Sequence, residues 1–149
     1  MSNIFDTLTE DHDGHRRLLD RLAGTEGDST ERRALFLKLK VDVEAHAAAE
    51  EQTFYAELIA MPDGQDKARH SVAEHESMSD IIEELDETDM SSPGWLTRFK
   101  TLKDKLEHHM DEEENEVFAK ARDLFSDERA ASLSNAFRQR KQDEVKDAA

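Results

Sequence analysis

The feature that most constrains this chain is that it contains one pattern twice. His46-Ala47-Ala48-Ala49-Glu50-Glu51-Gln52-Thr53-Phe54-Tyr55 and His109-Met110-Asp111-Glu112-Glu113-Glu114-Asn115-Glu116-Val117-Phe118 each read as a His, three residues, two Glu, two residues and two large apolar side chains. The offset of 63 positions, applied without gaps, also lays His12 on His75, Leu18 on Ile81, Leu22 on Leu85, Phe36 on Phe99 and Leu39 on Leu102. The chain is therefore a doubled helical hairpin. On a helix, a His and a Glu four apart share a face with Cβ atoms about 5–6 Å apart, so an imidazole and a carboxylate can converge on one point. Each half carries one His and, 34 positions later, a His-x-x-x-Glu. Out of seven His and 36 acidic residues, the repeat nominates His12, His46, Glu50, His75, His109 and Glu113.

Apolar periodicity places these residues on helices. A first helix is predicted from Asn3 to about Leu22, and a second from a Ser29 or Thr30 cap to about Ala60. Met61-Pro62-Asp63-Gly64 reads as a turn. A third helix covers about Gln65 to Glu87. Ser91-Ser92-Pro93 then opens a fourth, with Pro at the first helical position, where its missing N–H costs nothing. These four predict an all-α, antiparallel up-down-up-down four-helix bundle over residues 1–125. Residues 126–149 are expected to add a short fifth helix and a tail. Its apolar content is little more than Ala130, Leu133 and Phe137, so it is expected to pack loosely outside the bundle and to fray beyond Arg140.

Composition removes several function classes. The chain of 149 residues has a net charge of −16 and a pI near 4.7, which argues against nucleic acid or an anionic membrane as partner, since both would be repelled. The lack of Cys excludes disulfides, thiolate catalysis and Cys-ligated zinc or iron–sulfur clusters. No run is long enough to span a bilayer and no leader pattern is present, so a cytoplasmic protein is expected. Any metal must be held by His, carboxylate and water.

Four imidazoles and two carboxylates at one depth in a bundle are costly to bury unpaired, at roughly 1–3 kcal/mol per neutral group and more for a bare carboxylate. A metal satisfies them together; the alternative is a network in which each His is hydrogen-bonded to a Glu across the core. Imidazole and carboxylate without thiolate suit Fe, Mn, Zn, Ni or Co. Two bridging carboxylates and four His fill about eight of the roughly twelve positions of two octahedral ions, leaving room for an oxo or hydroxo bridge and an outside ligand. A single zinc needs only four ligands. Two Fe ions are therefore favoured, with Zn or Mn left open. His15 shares the face of His12 but falls on Met78 in the repeat, and is taken as a further ligand or a donor to one. His70 and His108 are expected in solvent, Glu51 and Glu114 on a solvated face, and Tyr55 in packing.

Glu10-Asp11-His12, His46-x-x-x-Glu50-Glu51 with Phe54-Tyr55, Ala73-Glu74-His75, and His108-His109-x-x-x-Glu113-Glu114 with Val117-Phe118 together resemble the hemerythrin-like domain family, named for its His-His-Glu cation-binding pattern. The resemblance spans about Ile4 to Phe125. It implies a four-helix bundle with a non-haem di-iron centre, His12, His46, His75 and His109 as iron ligands, and Glu50 and Glu113 as bridges. Family members bind or respond to oxygen, nitric oxide, peroxide or iron. The oxygen-carrying members have a second His four residues from the first on the third helix; here those positions are Ser71 and Ser79. The resemblance thus implies a small diatomic gas or peroxide as partner. A di-iron peroxidase or oxidase, and a helical interaction module with a zinc-occupied or vestigial site, are the alternative functions. Oligomeric state is not encoded in any readable feature.

Overall fold

The structure, a computed structural model, describes residues 2–148. Helix α1 (Ile4–Ala23) is followed by α2 (Thr30–Glu50), which continues through a wide π-helical turn (Glu51–Tyr55) into α3 (Ala56–Ile59). A single 3₁₀ turn (Pro62–Gly64) leads into α4 (Gln65–Glu87). Then α5 (Pro93–Glu112) passes through a second π-helical turn (Glu113–Val117) into α6 (Phe118–Leu124), and α7 (Asp127–Ala148) ends the fold. No strand occurs among the described residues. The four expected rods are α1, α2–α3, α4 and α5–α6, packed as an antiparallel bundle.

The start signals act as their chemistry requires. Ser29 accepts a hydrogen bond from the backbone N–H of Arg32 at 3.0 Å, and Ser92 caps α5 ahead of Pro93. Gly64 closes the turn against Leu58, where a Cβ would lie 2.5 Å from the Leu58 carbonyl oxygen; no other residue fits there without moving the backbone. At the other end of the bundle the buried guanidinium of Arg32 donates to Thr25 Oγ1 (2.9 Å), the Thr25 carbonyl (2.6 Å) and the Met90 carbonyl (2.8 Å). It also lies over Trp95, 4.7 Å from the ring centroid. One side chain thus pins both hairpin loops together.

Helix α7 differs from expectation. It is neither short nor loosely held: it runs 22 residues, packs along α1 and α2, and buries Leu133, Ser134 and Phe137. Its narrow apolar stripe is supplemented by polar contacts whose partners lie far away in sequence. Lys141 Nζ reaches Asp11 Oδ2 (2.7 Å) and Asp42 Oδ1 (3.0 Å), and Ser134 Oγ meets Thr7 Oγ1 at 2.6 Å.

The apolar core is split in two. One cluster, around Leu19, Leu22, Leu39, Ile82, Leu85, Trp95, Phe99 and Leu102, fills the loop end. The other, around Ile4, Leu8, Phe54, Tyr55, Leu58, Phe118, Leu133 and Phe137, fills the opposite end and reaches under α7. The layer between them is polar.

Candidate metal centre

That middle layer holds the six side chains nominated by the repeat. All six are buried. They fall into two adjoining groups, His12, His46, Glu50 and Glu113, and Glu50, His75, His109 and Glu113, each with one donor atom per residue within 4.8 Å of the others. Both groups share both carboxylates.

The sharing is directional. Glu50 turns Oε2 toward His46 Nε2 (3.3 Å) and Oε1 toward His75 Nε2 (3.1 Å). Glu113 turns Oε1 toward His12 Nε2 (3.1 Å) and Oε2 toward His109 Nε2 (3.6 Å). Each carboxylate therefore offers one oxygen to each group. Both oxygens of Glu50 and Oε1 of Glu113 are buried without a hydrogen-bond partner. Three orphaned anionic oxygens facing imidazole nitrogens are a cation-shaped demand, because leaving each unsatisfied costs roughly 1–3 kcal/mol or more.

The outward nitrogens are all engaged. His12 Nδ1 lies 2.7 Å from Glu114, His46 Nδ1 2.7 Å from Asp11, His75 Nδ1 2.8 Å from Glu51 and His109 Nδ1 2.8 Å from Glu74. A carboxylate at Nδ1 selects the tautomer that directs the Nε2 lone pair inward and makes the ring a better donor. Glu51 and Glu114 thus do not form a merely solvated face. Each sits one step beyond Glu50 or Glu113 and reaches across to the His of another helix. Sequence reasoning missed this because the partner lies across the bundle; only their parallel position in the repeat marked them.

Tyr55 likewise departs from a pure packing role: its hydroxyl donates to Glu113 Oε2. It ends the first π-helical turn, where Phe54 and Tyr55 are both buried, as Val117 and Phe118 are at the end of the second. Such single-turn π segments recur at functional sites.

With protons alone, the site meets the same charge problem by pairing imidazolium with carboxylate. Burial disfavours charge on His12 and His75, but Glu113 and Glu114 in one case, and Glu50 and Glu51 in the other, push both up to about 10. Burial raises Glu50, yet His46 and His75 hold it well below the usual carboxylate range. Burial and the Glu113 charge push Tyr55 well above its ordinary value, so it remains a neutral donor.

His15 is buried beside these groups, its ring 5.1 Å from that of His46. Its Nε2 is bonded to Asp42 at 2.7 Å, and burial holds it down to about 4. The structure places it outside the two four-residue groups, in a third set with Asp11 and His46. His70 and His108 project outward, and His108 Nε2 meets Glu112 at 3.1 Å. A cavity of about 590 Å³ opens onto the site from between α2 and α4; His12, His46, His75 and His109 line it, with Val43, Met78, Ile82, Leu106 and Met110 as an apolar wall.

Residues 3–121 match the family model described as the hemerythrin HHE cation binding domain. A curated protein named DNA nickase, from Nostoc sp. strain PCC 7120, is 26% identical over 136 residues, covering 91% of this chain and 38% of that protein. This chain thus spans well under half of that relative's length. The crystal structure of a hemerythrin HHE cation binding domain-containing protein from Mycobacterium kansasii superposes with a TM-score of 0.88 at 26% identity, covering 99% of this chain and 90% of that one.

Proposed function

Since this chain belongs to the hemerythrin HHE cation-binding domain family, we propose that it is a non-haem di-iron protein that binds or senses O2, NO or a related small oxidant at an open iron position. The observation that carries this reading is the pair of carboxylates, each offering one oxygen to each of two His-containing groups, with three of their four oxygens unpartnered. In this reading His12 and His46 would hold one ion and His75 and His109 the other, with Glu50 and Glu113 available to both. An imidazole and carboxylate set of this size suits two iron ions better than one zinc, which needs only four ligands. Bound iron would supply reversible one-electron chemistry and a coordination position for a small oxidant.

The protein's own contribution is positioning and charge. Asp11, Glu51, Glu74 and Glu114 fix the imidazole rings; the Tyr55 hydroxyl holds Glu113; and the two apolar clusters bound the layer at either end of the bundle. His15, at the cavity wall, stands as a donor near His46 rather than as a member of either four-residue group.

The cavity favours a second reading. Its volume of about 590 Å³ lies in the range that holds a drug-sized organic ligand, which suits an oxidase or peroxidase. Nucleic acid is not part of the proposal. The nickase is much the longer protein, and a net charge of −16 opposes DNA phosphate. No helix among the described residues is long and apolar enough to cross a membrane; a cytoplasmic location belongs to the proposal.

Metal analysis with an optical spectrum of the air-oxidised protein tests the first reading. About two iron per chain with a ferric absorption band supports it. Zinc alone, or no metal, overturns it in favour of an interaction module. Sustained peroxide consumption would move the function to the enzymatic reading.

A further inference from the structure

The face of α4 and α5 turned away from the centre carries a second cluster. His70 Nε2 lies 2.9 Å from Glu112 Oε1 and 3.5 Å from Glu74 Oε1, and His108 Nε2 lies 3.1 Å from the other oxygen of Glu112. His70, Glu74 and Glu112 each present a donor atom within 4.8 Å of the others. Metal–ligand bonds of about 2.0–2.2 Å place neighbouring ligand atoms about 2.8–3.6 Å apart around one ion, and His70 Nε2 already stands at that spacing from an oxygen of each Glu.

The repeat supplies an independent argument. Thr7, Asp11, Ala45 and Ala49 of the first half fall on His70, Glu74, His108 and Glu112 of the second. In the first half this face is covered by α7, and Lys141 supplies a positive charge to Asp11, the carboxylate behind His46. Glu74 is the equivalent carboxylate behind His109. It has no Lys or Arg partner among the described residues; its ion pairs are with His109 and His70. Its side chain and that of Glu112 are 24% and 20% exposed, so the face is open to solution.

We propose that His70, Glu74 and Glu112 form an exterior site for one divalent transition cation, with His108 orienting Glu112. The ion takes the place, on the second hairpin, that Lys141 holds on the first. One imidazole and two carboxylates suit Zn²⁺, Fe²⁺ or Mn²⁺ over Ca²⁺, which favours an all-oxygen shell. Because Glu74 Oε1, the oxygen nearest His70, is also the one bonded to His109 Nδ1, the cation sits one carboxylate away from the proposed centre.

The test is a Zn²⁺ titration of the metal-loaded protein at 0.15 M salt, with metals counted before and after dialysis. One further ion per chain is expected, removable by a weak chelator while the central ions stay. His70→Ala should weaken its binding by about tenfold or more, and His108→Ala by less. His70→Ala leaves every carboxylate in place, so general attraction of cations to an acidic surface would survive it. Equal uptake by parent and His70→Ala, or no ion beyond the central ones, overturns the proposal. His70 is exposed, and Ala is the better helix former, so the variant folds. The central count comes from the same samples, which separates failure of the outer site from failure of the di-iron reading.

Discussion

The two hairpins are near copies on their inner faces and differ on their outer ones. Inside, His12 and His75, His46 and His109, Glu50 and Glu113 occupy matching places, and so do the carboxylates behind them: Asp11 with Glu74, Glu51 with Glu114. Outside, the first hairpin is covered by α7, with Phe137 stacked edge-on to His46 at 5.2 Å, whereas the second presents His70, His108, Glu74 and Glu112 to solution. Tyr55 donates to Glu113 from the first half, while its counterpart Phe118 has no hydroxyl to give. The lesson is that symmetry is kept where two equivalent charge problems must be solved in one buried layer. It lapses where only packing or solvent is at stake.

The largest effect is expected from breaking the shared layer. Glu50→Ala and Glu113→Ala should each cost nearly all the bound metal, because each removes a donor from both groups at once. His109→Ala should cost far more bound metal than His108→Ala in metal-to-protein ratio. Equal losses would mean the inner and outer registers are confused.

Next comes the cover. Phe137→Ala removes a fully buried ring and should destabilise the metal-free protein by about 3–5 kcal/mol in urea unfolding. The second hairpin offers no equivalent residue to truncate. A change under about 1 kcal/mol would show that α7 adds little to the first hairpin.

Tyr55→Phe makes the first half like the second. Loss of a hydrogen bond to a buried carboxylate should cost about 1.5–3 kcal/mol, with metal content preserved and, on the di-iron reading, the spectrum of the oxidised centre altered. An unaltered spectrum would separate Tyr55 from the site.

A pH dependence is expected as well. His12 and His75, raised to about 10 from 6.5, add stability to the metal-free fold in full below about pH 6.5, and this is lost as pH rises through 10. A cation must displace those protons. Metal uptake near pH 7 should therefore release protons, with affinity rising as pH rises while metal-free stability falls. Calorimetry in two buffers of different ionisation enthalpy measures the release; none would indicate that the rings are neutral beforehand.

Much of this was legible in the chain. The caps at Ser29 and Ser92, the four rods and the six clustered side chains follow from local periodicity and a gap-free repeat, since helix geometry ties spacing directly to direction. The roles of Glu51, Glu114 and Tyr55 were not, because each acts on a residue of another helix. The two π-helical turns were equally hidden. Glu51–Tyr55 and Glu113–Val117 are made of residues that an α-helix would also accept.

By itself the sequence determined an all-helical doubled hairpin with four His and two Glu in matching places, because such patterning depends only on the period of the helix. The tertiary structure alone decided which oxygen meets which nitrogen, that α7 covers one hairpin and leaves the other open, and that Lys141 reaches Asp11 while His70 reaches Glu74. Those facts depend on distances between elements, and spacing along a chain does not encode them until the elements have packed.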